Sequence, residues 1–175
     1  SVYRVQKRGG KGVIGATTKE EDRIAKVLSI NTHDNLMFFT NTGKVFQTKA
    51  YEIPESSRTA RGQAIVNFLQ MSQEEKITAL ISFADNSEYK YLFMATRNGT
   101  IKKTKIEDFA NVRRSGLIAI GLEKEDVLSW VSTTTGSDDI VMTTADGQSI
   151  RFKESDVRPM GRNASGVRGI KLKDA

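Results

Sequence analysis

Residues 6–12 read Gln6-Lys7-Arg8-Gly9-Gly10-Lys11-Gly12, with three cations, three glycines and no acid. Such a stretch suits phosphate chemistry: glycine lets backbone N–H groups approach an anion, and lysine or arginine neutralises it. The nucleotide-binding version has a strict context. Gly10 to Gly15 formally matches G-x-G-x-x-G, but the dinucleotide fingerprint needs a following helix and an acid about 20 residues on. Thr17-Thr18-Lys19 follows instead, and nothing there has the pattern of an amphipathic helix. The G-x-x-x-x-G-K-[ST] phosphate loop is also missing. What remains is a grip on a phosphate backbone, or a basic loop in solvent.

Other chemistries lack raw material. The 175 residues contain no cysteine and a single histidine, His33, which leaves no thiolate metal site and almost nothing for His-assisted nucleophilic catalysis. Glu20-Glu21, Glu74-Glu75 and Glu123 with Glu125 recur at matching places, which reads as turn chemistry and not as a catalytic carboxylate pair. His33 is expected in a turn or strand end, Trp130 in the core, and Tyr3, Tyr51, Tyr89 and Tyr91 in strand packing, since no spaced aromatic platform exists for stacking bases. No apolar run approaches the roughly 18 residues of a membrane span. Ser1 in place of Met suggests a piece trimmed from a longer chain. The net charge of +6 tilts modestly toward polyanions.

The elements that position these residues emerge from internal repetition. LMFFTNTGKVFQTK (36–49), YLFMATRNGTIKKTK (91–105) and IVMTTADGQSIRFK (140–153) each run apolar strand, turn, strand. Their turns centre on Gly43, Gly99 and Gly147 and read Thr-Gly, Asn-Gly and Asp-Gly; the last two predict type I′ turns with positive φ at both central residues. A basic glycine block follows each hairpin: RTARGQAIVNF (58–68), VRRSGLIAIGL (112–122) and RNASGVRGIKL (162–172), each a basic cluster, then Gly62, Gly116 or Gly166, then a short apolar strand. Acidic turns then lead into RIAKVLSI, KITALISF and VLSWVSTT. The period is about 50 residues with four short strands per unit, the signature of a propeller-like radial array. Arg8 to Gly15 and Arg162 to Gly169 share R-x-x-x-G-V-x-G, so the opening heptapeptide is the basic loop of a unit whose hairpin is expected upstream. The predicted modules are 1–33 (lacking its hairpin), 34–83, 84–133 and 134–175 (incomplete at its end).

In a radial array, equivalent positions fall on one edge. Basic residues at such positions should form a belt: Arg4 and the heptapeptide, then Lys44, Lys49, Arg58, Arg61, Lys102, Lys103, Lys105, Arg113, Arg114, Arg151, Lys153, Arg162 and Arg168. A belt of that kind matches a curved phosphate backbone, held by counterion release without base reading. A repeat module for protein–protein interaction is the alternative.

The heptapeptide, followed by KEEDRIAKVLSINTHDNLMFFTNTGKVF, resembles the C-terminal domain of bacterial DNA gyrase A, whose signature box is usually written Q-R-R-G-G-K-G. TARGQAIVNFL, FMATRNGTIKKT and RFKESDVRPMGRNASGVRGIKL look equally typical, so the likeness covers essentially the whole chain. Lys7 departs from the family's usual Arg; charge is kept and the planar fork is lost. The resemblance implies an all-β fold, a β-pinwheel: a propeller-like disc of four-stranded blades that swap a strand with a neighbour, here a partial set of about three to four blades. It implies that double-stranded DNA wraps around the basic rim with a positive crossing, with the box fastening the wrap, so that the holoenzyme introduces negative supercoils. It further implies a bacterial, cytoplasmic, nucleoid-associated enzyme built from a homodimer of gyrase A with gyrase B in a heterotetramer. In that enzyme ATP, Mg and the catalytic groups belong to other domains, and this domain holds no cofactor or metal. The corresponding topoisomerase IV protein is similar in its repeats but generally lacks an intact box.

Overall fold

A computed structural model describes Arg8 and residues 26–57, 60–84 and 87–172. The strands, in chain order, are β1 (Asn35–Thr40), β2 (Lys44–Lys49), β3 (Ile77–Phe83), β4 (Tyr91–Thr96), β5 (Thr100–Lys105), β6 (Leu117–Ile118), β7 (Leu128–Thr134), β8 (Asp139–Thr143), β9 (Ser149–Lys153) and β10 (Val167–Arg168). All three hairpins form where the sequence places them. The Asn-Gly and Asp-Gly turns differ from the type I′ expectation. Only the glycine of each hairpin turn has positive φ: Gly43 at 78°, Gly99 at 85° and Gly147 at 78°. Each glycine N–H donates to the carbonyl three residues back, on Thr40 (3.0 Å), Thr96 (3.1 Å) and Thr144 (3.0 Å). These are three-residue loops closed by a left-handed glycine, so Thr42, Asn98 and Asp146 need not enter that region.

Two antiparallel four-stranded sheets have the orders β3-β1-β2-β6 and β10-β5-β4-β7, and β8 and β9 form a two-stranded sheet. The short strands are exchanged: β6 follows the β4–β5 hairpin in sequence but pairs with β2, with Val45 opposite Leu117. Likewise β10 follows β8–β9 but pairs with β5, with Ile101 opposite Val167. Gly43 O accepts N–H bonds from Ala119 (2.8 Å) and Ile120 (3.2 Å); Gly99 O accepts them from Gly169 (2.9 Å) and Ile170 (3.3 Å). A Cβ on Gly43 would lie 2.7 Å from Ile120 O, and one on Gly99 would lie 2.7 Å from Ile170 O. After Gly62 no strand forms; Ile65–Asn67 is a single 3-10 turn. By the exchange rule its hairpin would be the one before β1, and no such hairpin exists among the described residues.

β1 is buried along its whole length because both of its faces are covered. Leu36 and Phe38 pack with Phe46 and Leu69, while Met37 and Phe39 pack with residues of the second sheet such as Leu92 and Met94. Phe93, Ala95 and Ile101 make a third cluster with Val157 and partly buried residues of the third hairpin. Trp130 departs from the core expectation and is 62 % exposed. It sits on edge strand β7 opposite Ala95, beside Met142 of β8. The third sheet has two strands among the described residues, too few to cover an indole. His33 lies in the turn before β1, as expected, with its ring tilted against Tyr51.

The recurring acids tie hairpin tips to the turn before the next strand. Glu75 is buried; its carboxylate pairs with Lys44 Nζ at 3.0 Å and accepts from Thr42 Oγ1 (3.1 Å) and Ser72 N (2.9 Å). Asp126, equally placed in the next unit, accepts from Asn98 N at 3.1 Å. Burial alone would raise the Glu75 pKa, but the Ser72 N–H, Lys44 and Thr42 outweigh it and hold the carboxyl below 4.5.

Two stability experiments follow from this packing. Gly99→Ala carries the left-handed penalty of about 1–2 kcal/mol plus a clash with backbone; Gly147→Ala carries only the penalty, because nothing lies within 4 Å of its Cβ position. Urea titration should therefore show the larger loss for Gly99→Ala, and equal losses would contradict the close approach. For Glu75, a folded pKa below 4.5 means its contribution is full above pH 4.5 and fades as pH falls through the lower folded value. The stability gap between parent and Glu75→Gln should accordingly close in acid; a gap independent of pH would contradict the ion pair.

Candidate nucleic-acid interface

In the first sheet β3 and β6 are opposite edges; in the second, β7 and β10 are. β3 packs beside β7. Neighbouring strands lie about 4.8 Å apart, so β6 lies roughly 14 Å across its sheet from β3, and β10 roughly 14 Å across its sheet from β7. The basic blocks are on this far side. Arg113 and Arg114 are exposed in the turn that enters β6; Arg162 is half-buried in the turn that enters β10, and Arg168 is exposed on β10 itself. Gly116 and Gly166, with φ of 78° and 102°, end these two turns. A side chain at Gly116 would strike the Phe46 ring at 2.8 Å, and one at Gly166 would strike Ile101 O at 2.3 Å. Glycine at these positions lets the basic turn lie flat against the neighbouring strand.

Arg151 and Lys153 are exposed on β9, and Arg61 is exposed before Gly62. None of these, nor Arg113, Arg114 or Arg168, makes an ion pair among the described residues. Lys44 is partly exposed but engaged by Glu75. Lys105 pairs with Glu107 at 2.9 Å, which raises its pKa. Lys49 donates to His33 O at 3.4 Å. Arg8 is exposed; the rest of the heptapeptide (Gln6, Lys7, Gly9, Gly10, Lys11, Gly12), with Arg4 and Arg58, lies outside the described residues.

Lys102 and Lys103 correct the sequence reading. They are 0 % and 4 % exposed, not surface cations. β5 is an inner strand, and alternation along it turns one lysine into each face. Burial first, then the charge of Arg162, push the Lys102 pKa down to about 8, with Asp108 opposing. Arg97 and Arg158, outside the predicted belt, are exposed. Arg97 sits at the second hairpin tip, where its guanidinium donates to Glu125 O at 2.9 Å; its place beside the Asn-Gly signal was the available clue. No group of three His, Cys, Asp or Glu residues fit for a metal occurs among the described residues. No described helix is long and apolar enough to cross a membrane.

Comparison with known proteins supplies the family. The family described as "DNA gyrase C-terminal domain, beta-propeller" matches residues 1–31, 34–84, 90–135 and 138–175. The DNA gyrase A protein of Clostridium acetobutylicum is 49% identical over 167 residues, covering 95% of this chain and 20% of that protein. Its Escherichia coli counterpart is 46% identical over 172 residues, covering 98% of this chain and 20% of its own. The chain therefore spans about a fifth of these relatives. Among solved structures, the C-terminal domain of DNA topoisomerase IV is similar with a TM-score of 0.78 and 33% identity, over 90% of this chain and 49% of that one. The DNA gyrase A C-terminal domain is similar with a TM-score of 0.77 and 29% identity, over 99% of this chain and 55% of that one. Repeat, exchanged strands and sequence agree: the chain belongs to the DNA gyrase C-terminal domain, beta-propeller family.

Proposed function

We propose that this chain is the DNA-wrapping domain of a gyrase A protein. It is a non-catalytic module that bends duplex DNA around its basic edge with positive crossing, so that the whole enzyme can introduce negative supercoils. The observation that carries this reading is the recurrence of exposed arginines on the exchanged-strand edge of successive sheets, Arg113 and Arg114 on one and Arg168 on the next. Edges that succeed one another around a curved stack present phosphate-sized charges along an arc. DNA lying on that arc gains by releasing counterions and bears a bending cost of order 1–6 kcal/mol, so sequences that bend readily bind better.

The heptapeptide from Gln6 to Gly12 takes the part of the fastening box, with Lys7, Arg8 and Lys11 as phosphate ligands. Its family likeness supports this reading. Lys7 offers a point charge where Arg would offer a fork, which weakens one grip and leaves the others. In the complete enzyme the partners are a second copy of gyrase A and two copies of gyrase B, with ATP and Mg bound by other parts, in the bacterial cytoplasm on the chromosome. The similarity to a topoisomerase IV C-terminal domain favours that enzyme as the second reading. The nearly intact box argues for gyrase.

Salt dependence of duplex binding tests the proposal. If roughly 6–10 phosphates are neutralised, log K falls against log salt with a slope near −5 to −9. Arg113→Ala with Arg114→Ala should make that slope shallower by about 2, and the triple change Lys7→Ala, Arg8→Ala, Lys11→Ala by about 3. Binding that ignores salt, or slopes unchanged in both variants, would favour a protein-interaction module instead.

A further inference from the structure

Consecutive residues of a strand point to opposite faces of the sheet. On β5 that rule sends Lys102 toward the first sheet and Lys103 toward the third hairpin. Lys102 Nζ donates to Ala119 O at 2.8 Å and also to Arg162 O. Ala119 belongs to the segment exchanged into the first sheet, and Arg162 opens the turn that enters β10 of the second. One ammonium thus joins two successive exchanged segments, and Gly121 N donates to Ala164 O at 3.1 Å along the same seam. On the opposite face, Lys103 Nζ donates to Glu154 O at 2.9 Å and lies 3.8 Å from Glu154 Oε1. It also sits 4.9 Å from the centre of the Tyr91 ring. Glu154 follows β9, is fully buried, and is held in turn by Thr134 Oγ1 (2.7 Å) and Gly136 N (2.9 Å).

The repeat provides an internal control. β2 carries Phe46 and Gln47 at the corresponding positions. Phe46 packs in an apolar cluster, and Gln47 donates within its own sheet to Asn35 Oδ1 at 3.1 Å while its buried Oε1 has no hydrogen-bond partner among the described residues. An open cleft of about 740 Å³ lies beside Gln47, between the first and second sheets. Burying a charge costs far more than burying an apolar side chain of similar volume, so stability alone does not account for two lysines here. Directional donors between sheets hold one relative placement, whereas apolar faces can slide.

We propose that Lys102 and Lys103 are positioning residues that set the angle between successive sheets, and with it the curvature the basic edge offers to DNA. The link to DNA rests on the wrapping function proposed above; the link to sheet angle does not. Variants Lys102→Met and Lys103→Gln (the β2 residue) of the chain, with the parent, would be compared by solution X-ray scattering, by affinity for a short linear duplex, and by linking-number change per bound chain on relaxed plasmid. The expected result is a changed scattering profile and a linking-number change reduced by about half or more. Duplex affinity should stay within about threefold and its salt slope unchanged, because neither ammonium reaches solvent. An affinity loss of about tenfold with a shallower slope would make the lysines phosphate ligands and overturn the proposal. Scattering and linking number both matching the parent in folded variants would overturn it too. If the parent binds no duplex, the wrapping reading fails and scattering still decides the sheet-angle role. If Lys102→Met does not fold, Lys103→Gln carries the same comparison.

Discussion

Two backbone carbonyls, those of Gly43 and Gly99, join each sheet to the chain of the next. Each accepts two N–H groups from an incoming exchanged segment, and each does so at a residue with no Cβ in the way. The exchanged strand is only two residues long, so it could not hold its place by ladder bonds alone. Glycine therefore serves twice in one position: it turns the hairpin with positive φ, and it leaves room for the neighbour's backbone. From this joint follow the stacking of the sheets, the clusters shared between them, and the delivery of each basic turn to the sheet edge far from where β3 meets β7.

Charge is sorted by the same architecture. Acids that repeat in sequence are drawn inward to hairpin tips, where Glu75 and Asp126 accept backbone and side-chain hydrogen bonds. The repeated arginines are carried outward in the turn before β6 and on β10, and they meet no carboxylate among the described residues. A net charge of +6 says little by itself. Sorted to one edge, it becomes a field that a phosphate chain can follow. Exposed pairs such as Lys105–Glu107 are weakened by solvent and salt, so they do not bar those lysines from phosphate.

Much of this was legible in the residues. The hairpins were, because glycine six residues before a lysine recurs three times with β-rich flanks. The all-β class and the repeat were, for the same reason. The turn type was misread because Asn-Gly and Asp-Gly suit both a two-residue loop and the last two positions of a three-residue one. The missing strand after Gly62 reflects pairing that is not local: each short strand answers to a hairpin one unit earlier, which local pattern cannot reveal. Lys102 and Lys103 looked like surface cations because charge type was weighed and strand position was not; a lysine pair on the inner strand of a hairpin must put one side chain into each face. Trp130 was expected in the core from its apolar strand pattern, but that pattern does not reveal that β7 is an edge strand, where the indole stays 62 % exposed.

The central claim is that the basic edge bends DNA in one sense, and linking number reads that sense directly. Relaxed plasmid would be incubated with the chain, treated with a relaxing topoisomerase and deproteinised. A positive linking-number shift that grows with bound protein is expected. Saturated binding with no shift, or with a negative one, would contradict wrapping with positive crossing.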